Sequence, residues 1–160
     1  PSEEIIRQIN DVVKQYPTAL GIHDLEVHSY GPGHTLATLH VEVDGKVDVF
    51  ASHDMIDNIE QRLRREYGIA ATIHMDPIVT DDAVIAELRA RVLSAVRQLD
   101  PNINLHDFRL VPGTTHSNLI FDVAVPFENK TPDDRLRAAV AEQVRRIDPS
   151  YCAVVTIDRV

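Results

Sequence analysis

Eight histidines, against two methionines, one cysteine and no tryptophan, are the unusual feature of this 160-residue chain. Histidine is the commonest metal ligand, so the question is which of the eight share a surface. Side chains along a strand alternate between the two faces of its sheet. Over 35–44 the apolar Leu39, Val41 and Val43 claim the inner face, which sends His40 and Glu42 outward. Over 69–76, Ile69, Ala71 and Ile73 point inward and Thr72, His74 and Asp76 outward. Over 22–30, Leu25 and Val27 point inward, leaving Asp24, Glu26 and His28 outward. Three strands thus offer His40, His74, Asp76, Glu26 and His28 on one open face. His23 opens the first strand and His53 opens a helix, and parity fixes neither. Imidazole nitrogen with carboxylate oxygen and no sulfur suits divalent zinc, manganese, iron, cobalt or nickel, and disfavours copper(I). The spacing makes no compact motif of the HExxH kind, and scattered surface histidines in an acidic domain are the competing reading.

These residues sit on elements that occur twice. Ile22-His23-Asp24-Leu25 returns as Leu105-His106-Asp107-Phe108. The stretch from Gly33-His34 to Leu39-His40-Val41-Glu42-Val43 returns as Thr115-His116 to Phe121-Asp122-Val123-Ala124-Val125, and Thr72-Ile73-His74 matches Thr156-Ile157-Asp158. The boundary falls around Pro77-Ile78-Val79-Thr80, giving units at 1–78 and 79–160. In the first, Ile5, Ile9, Val12, Val13 and Tyr16 keep helical spacing behind Ser2 as N-cap. Strands follow at about 22–30 and 35–44, split by Gly31-Pro32-Gly33. A helix over about 53–67 buries Ile56, Ile59 and Leu63 and ends at Gly68. A last strand runs over about 69–76 and stops at Pro77. In the second, a helix carrying Val84, Ile85, Leu88, Val92, Val96 and Leu99 precedes strands at about 104–111 and 117–126. A helix at about 132–147 and a strand at about 152–159 complete it. The expected fold is α+β: two tandem αββαβ units, each with its helices on one face of a short three-stranded sheet.

Composition narrows the function. A formal charge of −9 argues against nucleic acid, whose phosphates reward a basic surface, and against docking on anionic lipid. No run of eighteen apolar residues is present to span a bilayer, and no basic-then-apolar leader opens the chain. The missing initiator Met leads us to expect a cut inside a longer protein. The lone Cys152 excludes an internal disulfide and thiolate-rich metal centres, fits a reducing compartment, and reads as a small apolar filler in a strand.

Five blocks in order carry a more specific signal. Ile22-His23-Asp24-Leu25-Glu26-Val27-His28, Gly31-Pro32-Gly33, Leu39-His40-Val41-Glu42-Val43, Ser52-His53-Asp54-Met55-Ile56-Asp57-Asn58-Ile59-Glu60 and Ile73-His74-Met75-Asp76-Pro77 closely resemble the C-terminal domain of cation diffusion facilitators. The opening Pro1-Ser2-Glu3-Glu4-Ile5 is similar to the segment that leaves the last membrane helix in that family. The resemblance implies a ferredoxin-like, metallochaperone-like domain that forms a homodimer on the cytoplasmic face of the cell membrane. It implies that the N-terminal transmembrane domain of the same protein exchanges divalent cations for protons, while this piece senses metal and catalyses nothing. Carried over by position, the implied ligands are His23, His40, His53, His74 and Asp76, for a divalent cation with zinc favoured and manganese, iron, cobalt, nickel or cadmium as alternatives. His28 and His34 fall outside that set.

The second unit departs from the pattern. His106 keeps the place of His23, while Asp122 is expected where His40 would be, Asp158 where His74 would be, and Asp133 or Asp134 near the place of His53. One histidine among carboxylates would make a weak second site of harder character, closer to manganese or magnesium. A degenerate copy kept for packing is the favoured reading. Two other functions remain in view: a tandem regulatory domain that binds a non-metal ligand, and, further off, a metal-dependent hydrolase.

Overall fold

A computed structural model describes residues 3–160, and Ser2, the expected N-cap, lies outside the described residues. The chain divides into two compact units, residues 1–78 and 79–160. The first contains α1 (Glu3–Lys14), β1 (Gly21–Ser29), β2 (Thr35–Asp44), α2 (Val49–Tyr67) and β3 (Ile69–Ile78). The second contains α3 (Asp82–Val96), β4 (Asn104–Val111), β5 (Ser117–Val125), α4 (Asp133–Ile147) and β6 (Tyr151–Arg159). Each is αββαβ with a mixed sheet, in the order β1-β2-β3 or β4-β5-β6. The first pair in each sheet is antiparallel and the second parallel. A parallel pair needs a long crossover, and α2 and α4 supply it. No helix among the described residues is long and apolar enough to cross a membrane.

The cores follow the two periods of the sequence. Ile9, Val12 and Val13 of α1 and Ile56, Ile59 and Leu63 of α2 cluster against Ala37, Leu39, Val41 and Val43 of β2. In the second unit Leu88, Val92 and Val96 join Leu136, Val140 and Val144 against Leu119, Phe121, Val123 and Val125. Each fully buried aliphatic side chain contributes about 1.5–3 kcal/mol of transfer free energy. Helices therefore cover one face of each sheet. The other face of the first sheet carries His40 and its neighbours.

Several boundaries differ from expectation. α2 begins at Val49, because Asp48 caps it by accepting from Ala51 N, so His53 stands inside the helix instead of opening it. β3 continues through Pro77 to Ile78; it is an edge strand, where a missing N–H costs no ladder bond. Val84 is exposed on α3, and Leu99 lies beyond the helix end. Cys152 is exposed on β6 and fills no core.

A bulge in the first strand of each unit decides which face its opening residues reach. The pairing of β1 with β2 shifts between His23 and Glu26, and that of β4 with β5 between His106 and Arg109. Asp24 and Asp107 take φ of 51° and 52°, the only positive values at non-glycine positions among the described residues. Aspartate tolerates this left-handed conformation better than most side chains. Regular alternation from Leu25 would turn His23 into the core; one extra residue reverses the phase and puts it on the outer face. Replacing Asp24 or Asp107 by Val, whose branched Cβ resists positive φ, should lower the stability of its own unit by about 1–2 kcal/mol in urea unfolding. The Gly replacements should fall well short of that loss.

Candidate metal centre

Strand register gathers the outer-face residues into rows. His23 of β1 pairs with His40 of β2, and His40 with His74 of β3, so three imidazoles cross the sheet side by side. Ring centroids are 4.7 Å apart for His23 and His40 and 4.5 Å for His40 and His74. The next row is Gly21, Glu42 and Asp76. Glu42 and Asp76 are 3% and 5% exposed although they lie on the face away from the helices.

Asp76 is the hub. Its Oδ2 lies 3.0 Å from His23 Nε2 and 2.9 Å from His40 Nδ1, and its Oδ1 lies 3.1 Å from His74 Nε2. The other ring nitrogen of His23, Nδ1, is buried and stands 3.4 Å from Glu42 Oε1 without forming a hydrogen bond. Burial penalises a charged imidazole, but Asp76 and Glu42 outweigh it and lift the His23 pKa to about 9. Burial likewise works against an ionised Asp76, and its bonds to His23 and His40 prevail and hold its carboxyl below 3.8. Without a metal this is a protonated histidine clamped between two carboxylates.

One ligand atom each from His23, His40 and Asp76 lies within 4.8 Å of the others. Among the described residues no other group of three histidine, cysteine or carboxylate side chains meets that spacing. A tetrahedral ion with bonds of about 2.0–2.2 Å holds its ligand atoms about 3.4 Å apart. A widening of roughly half an ångström would therefore turn the two contacts to Asp76 Oδ2 into ligand–ligand edges. Two nitrogens and one oxygen fit a divalent ion of borderline hardness. Beside the row, Asp24, Glu26, Thr38, His40, Thr72 and His74 line a shallow basin of about 740 Å³ open to solvent.

His74 joins the cluster through Asp76, but its side chain is 66% exposed against 11% for His23. His53 is exposed on α2, the helix that packs on the opposite face of the sheet, and has no part in the group. Glu26 and His28 do share the outer face, as an exposed pair 3.9 Å apart. The register sets His28 two rows from the histidines, roughly 13 Å along the strand. His34 lies in the turn between β1 and β2, exposed. Parity puts Glu42 on the outer face without making it part of a site. Its part depends on standing opposite Gly21 and Asp76, which strand alternation alone does not reveal.

In the second unit the register corrects one correspondence. Asp122 pairs with Thr156, and Ala124 with Asp158, so Thr156 takes the place of His74 and Asp158 that of Asp76. His106 faces Asp122 across the ladder yet is exposed. Burial, a bond shared with Asp107 and the nearby Asp158 raise the Asp122 pKa against the pull of Arg109. Asp133 is engaged 2.8 Å from Arg159, which also donates to the carbonyls of Asn129 and Thr131.

Comparison with known proteins bears on the first unit. Residues 1–78 match the family described as cation efflux protein, cytoplasmic domain. The cation-efflux pump FieF of Pectobacterium atrosepticum is 34% identical over 79 residues, 49% of this chain and 26% of the pump. The FieF pump of Escherichia coli O1:K1 / APEC is 32% identical over 78 residues, 48% of this chain and 25% of the pump. The chain thus spans about a quarter of the length of these curated relatives. The metal-bound C-terminal domain of the CzcD transporter from Thermotoga maritima matches with a TM-score of 0.42 and 25% identity, over 46% of this chain and 87% of that one.

The charge clamp predicts a pH window for the metal-free chain. His23 is raised, so its contribution is complete below its ordinary 6.5 and lost as pH climbs through about 9. Asp76 is depressed, so its contribution is present above 3.8 and lost as pH falls through its lowered value. Urea unfolding of the first unit should show this stabilisation between about pH 4 and 6.5 and its decline toward pH 9. His23→Ala should flatten the alkaline limb.

Proposed function

Residues 1–78 form a cation efflux cytoplasmic domain, and from that premise we propose that they bind a regulatory divalent cation, zinc in preference, on the outer face of the first sheet. His23, His40 and Asp76 hold it, and His74 serves from the exposed end of the same row. The observation that carries this reading is the convergence of three ligand atoms within 4.8 Å around a buried carboxylate. His53, which the resemblance places among the ligands, stays outside the site of a single copy.

The domain acts as a homodimer at the cytoplasmic face of the membrane, joined to an N-terminal transmembrane domain that exports divalent cations in exchange for protons. The family match and the cation-efflux relatives support that setting. Its role is regulatory and not catalytic. When bound, the cation would supply two positive charges to a cluster of two imidazoles and a carboxylate. The chain's own part is to hold the ligands on two adjacent rows of one face, keep Asp76 ionised and leave the basin open for entry. An ion that prefers one arrangement of the dimer shifts the equilibrium by its difference in affinity. At a hundred times its dissociation constant it contributes up to about 2.7 kcal/mol.

Residues 79–160 are proposed as a degenerate repeat without a metal of its own. Thr156 and Ala124 replace His74 and Glu42, and His106 does not converge with Asp122 and Asp158.

Calorimetric titration of zinc and manganese into the chain tests the proposal, with sedimentation in the same buffers. One zinc per chain is expected, with affinity falling at least about 100-fold in His40→Ala and in Asp76→Asn and a rise in dimer fraction on zinc addition. Zinc uptake that survives both substitutions unchanged would overturn the assignment.

A further inference from the structure

We propose that Glu42 is a positioning residue for the metal centre: seated over Gly21, it holds the Nδ1 edge of His23 so that Nε2 faces Asp76 and the incoming ion. This inference rests on the metal reading of the same site and adds a residue to it.

Three observations carry it. First, Glu42 is 3% exposed on the sheet face that packs no helix, where a glutamate has no apolar reason to be buried. It stands across the ladder from Asp76, and the His23 ring lies against both, with Nε2 3.0 Å from Asp76 and Nδ1 3.4 Å from Glu42. A histidine that gives one nitrogen to a metal has its other N–H held by a carboxylate or carbonyl, which sets the tautomer and turns the ring.

Second, the seat is made by a missing side chain. Gly21 is the β1 partner of Glu42, and a Cβ placed there would collide with the Glu42 carboxylate. φ at Gly21 is not in the left-handed region, so the conformation does not demand glycine. The space does.

Third, the second unit is a control within the same chain. It repeats the bulge and the strand order, but the row of Gly21 and Glu42 is replaced by Asn104 and Ala124. There the equivalent histidine, His106, is exposed and does not gather with Asp122 and Asp158. Where the seat and the carboxylate are lost together, the histidine is not held.

Zinc calorimetry and ring-nitrogen magnetic resonance on the full chain test the proposal. Glu42→Ala should weaken zinc about 10–100-fold, and Glu42→Gln, which keeps the shape and an accepting oxygen, should recover part of the loss. Gly21→Ala should weaken zinc in the same range, and the double substitution with Glu42→Ala no further than Glu42→Ala alone, because each disturbs the same contact. In the zinc-loaded parent the His23 Nδ1–H should exchange slowly with water, and in Glu42→Ala quickly. That signal separates positioning from a general loss of stability. Zinc affinity within about threefold of the parent in Glu42→Ala, with His40→Ala still abolishing uptake, overturns this inference alone. Absence of zinc uptake by the parent chain overturns both readings.

Discussion

A strand that packs helices on one side gives every second residue to the other side, and that alternation governs this molecule. β2 spends Ala37, Leu39, Val41 and Val43 on the core, and its even positions, His40 and Glu42 among them, become the outer face. Register with β1 and β3 then decides which outer residues meet. One extra residue at Asp24 changes the phase of β1 between Leu25 and His23. Without it the third member of the His23, His40 and Asp76 group would face the helices, and Asp76 would lose a charged partner. The bulge therefore links backbone conformation directly to electrostatics: about 50° of φ at one aspartate sets where an imidazolium lies.

That link also explains what is legible in the sequence. The αββαβ order, the two units and the outward placement of His40, His74 and Asp76 follow from period and parity, because a half-buried strand leaves little freedom in its alternation. His23 is beyond parity because a bulge cancels it, and positive φ at Asp24 has no signature stronger than an aspartate in a strand. The burial of Glu42 needs the identity of its cross-strand neighbours, and so does the correspondence of Asp158 with Asp76 in place of His74. Pairing is a property of the assembled sheet. Misplaced ends have local causes: Asp48 caps α2 ahead of its buried stripe, and Pro77 does not stop β3 because an edge strand accepts it.

The two units show how separable fold and site are. Core positions repeat in kind, with Ile9 and Leu63 answered by Val92 and Val144 among the fully buried residues, and the bulge repeats to within a degree of φ. Packing is thus preserved while the outer rows diverge. Replacing a histidine by Thr156 and a glutamate by Ala124 costs the sheet nothing on its inner face. It leaves Asp122 beside Asp107 and Asp158, with Arg109 pulling against them. The Asp122 pKa is raised accordingly, by burial first and then by these neighbouring carboxyl groups.

In the first unit the same crowding is resolved the other way. Glu42 and Asp76 are buried opposite one another, and uncompensated they would repel and resist desolvation. His23 answers by keeping its proton to about pH 9 and turning one N–H edge toward each carboxylate. The positive charge that completes this pocket is therefore already present in the metal-free chain, as a proton on Nε2. On the proposed metal reading, a divalent cation among His23, His40 and Asp76 would take over the charge beside Asp76, with Nε2 giving up its proton to bind it. On that reading proton and metal compete for one demand, set by two buried carboxylates and a glycine-made space.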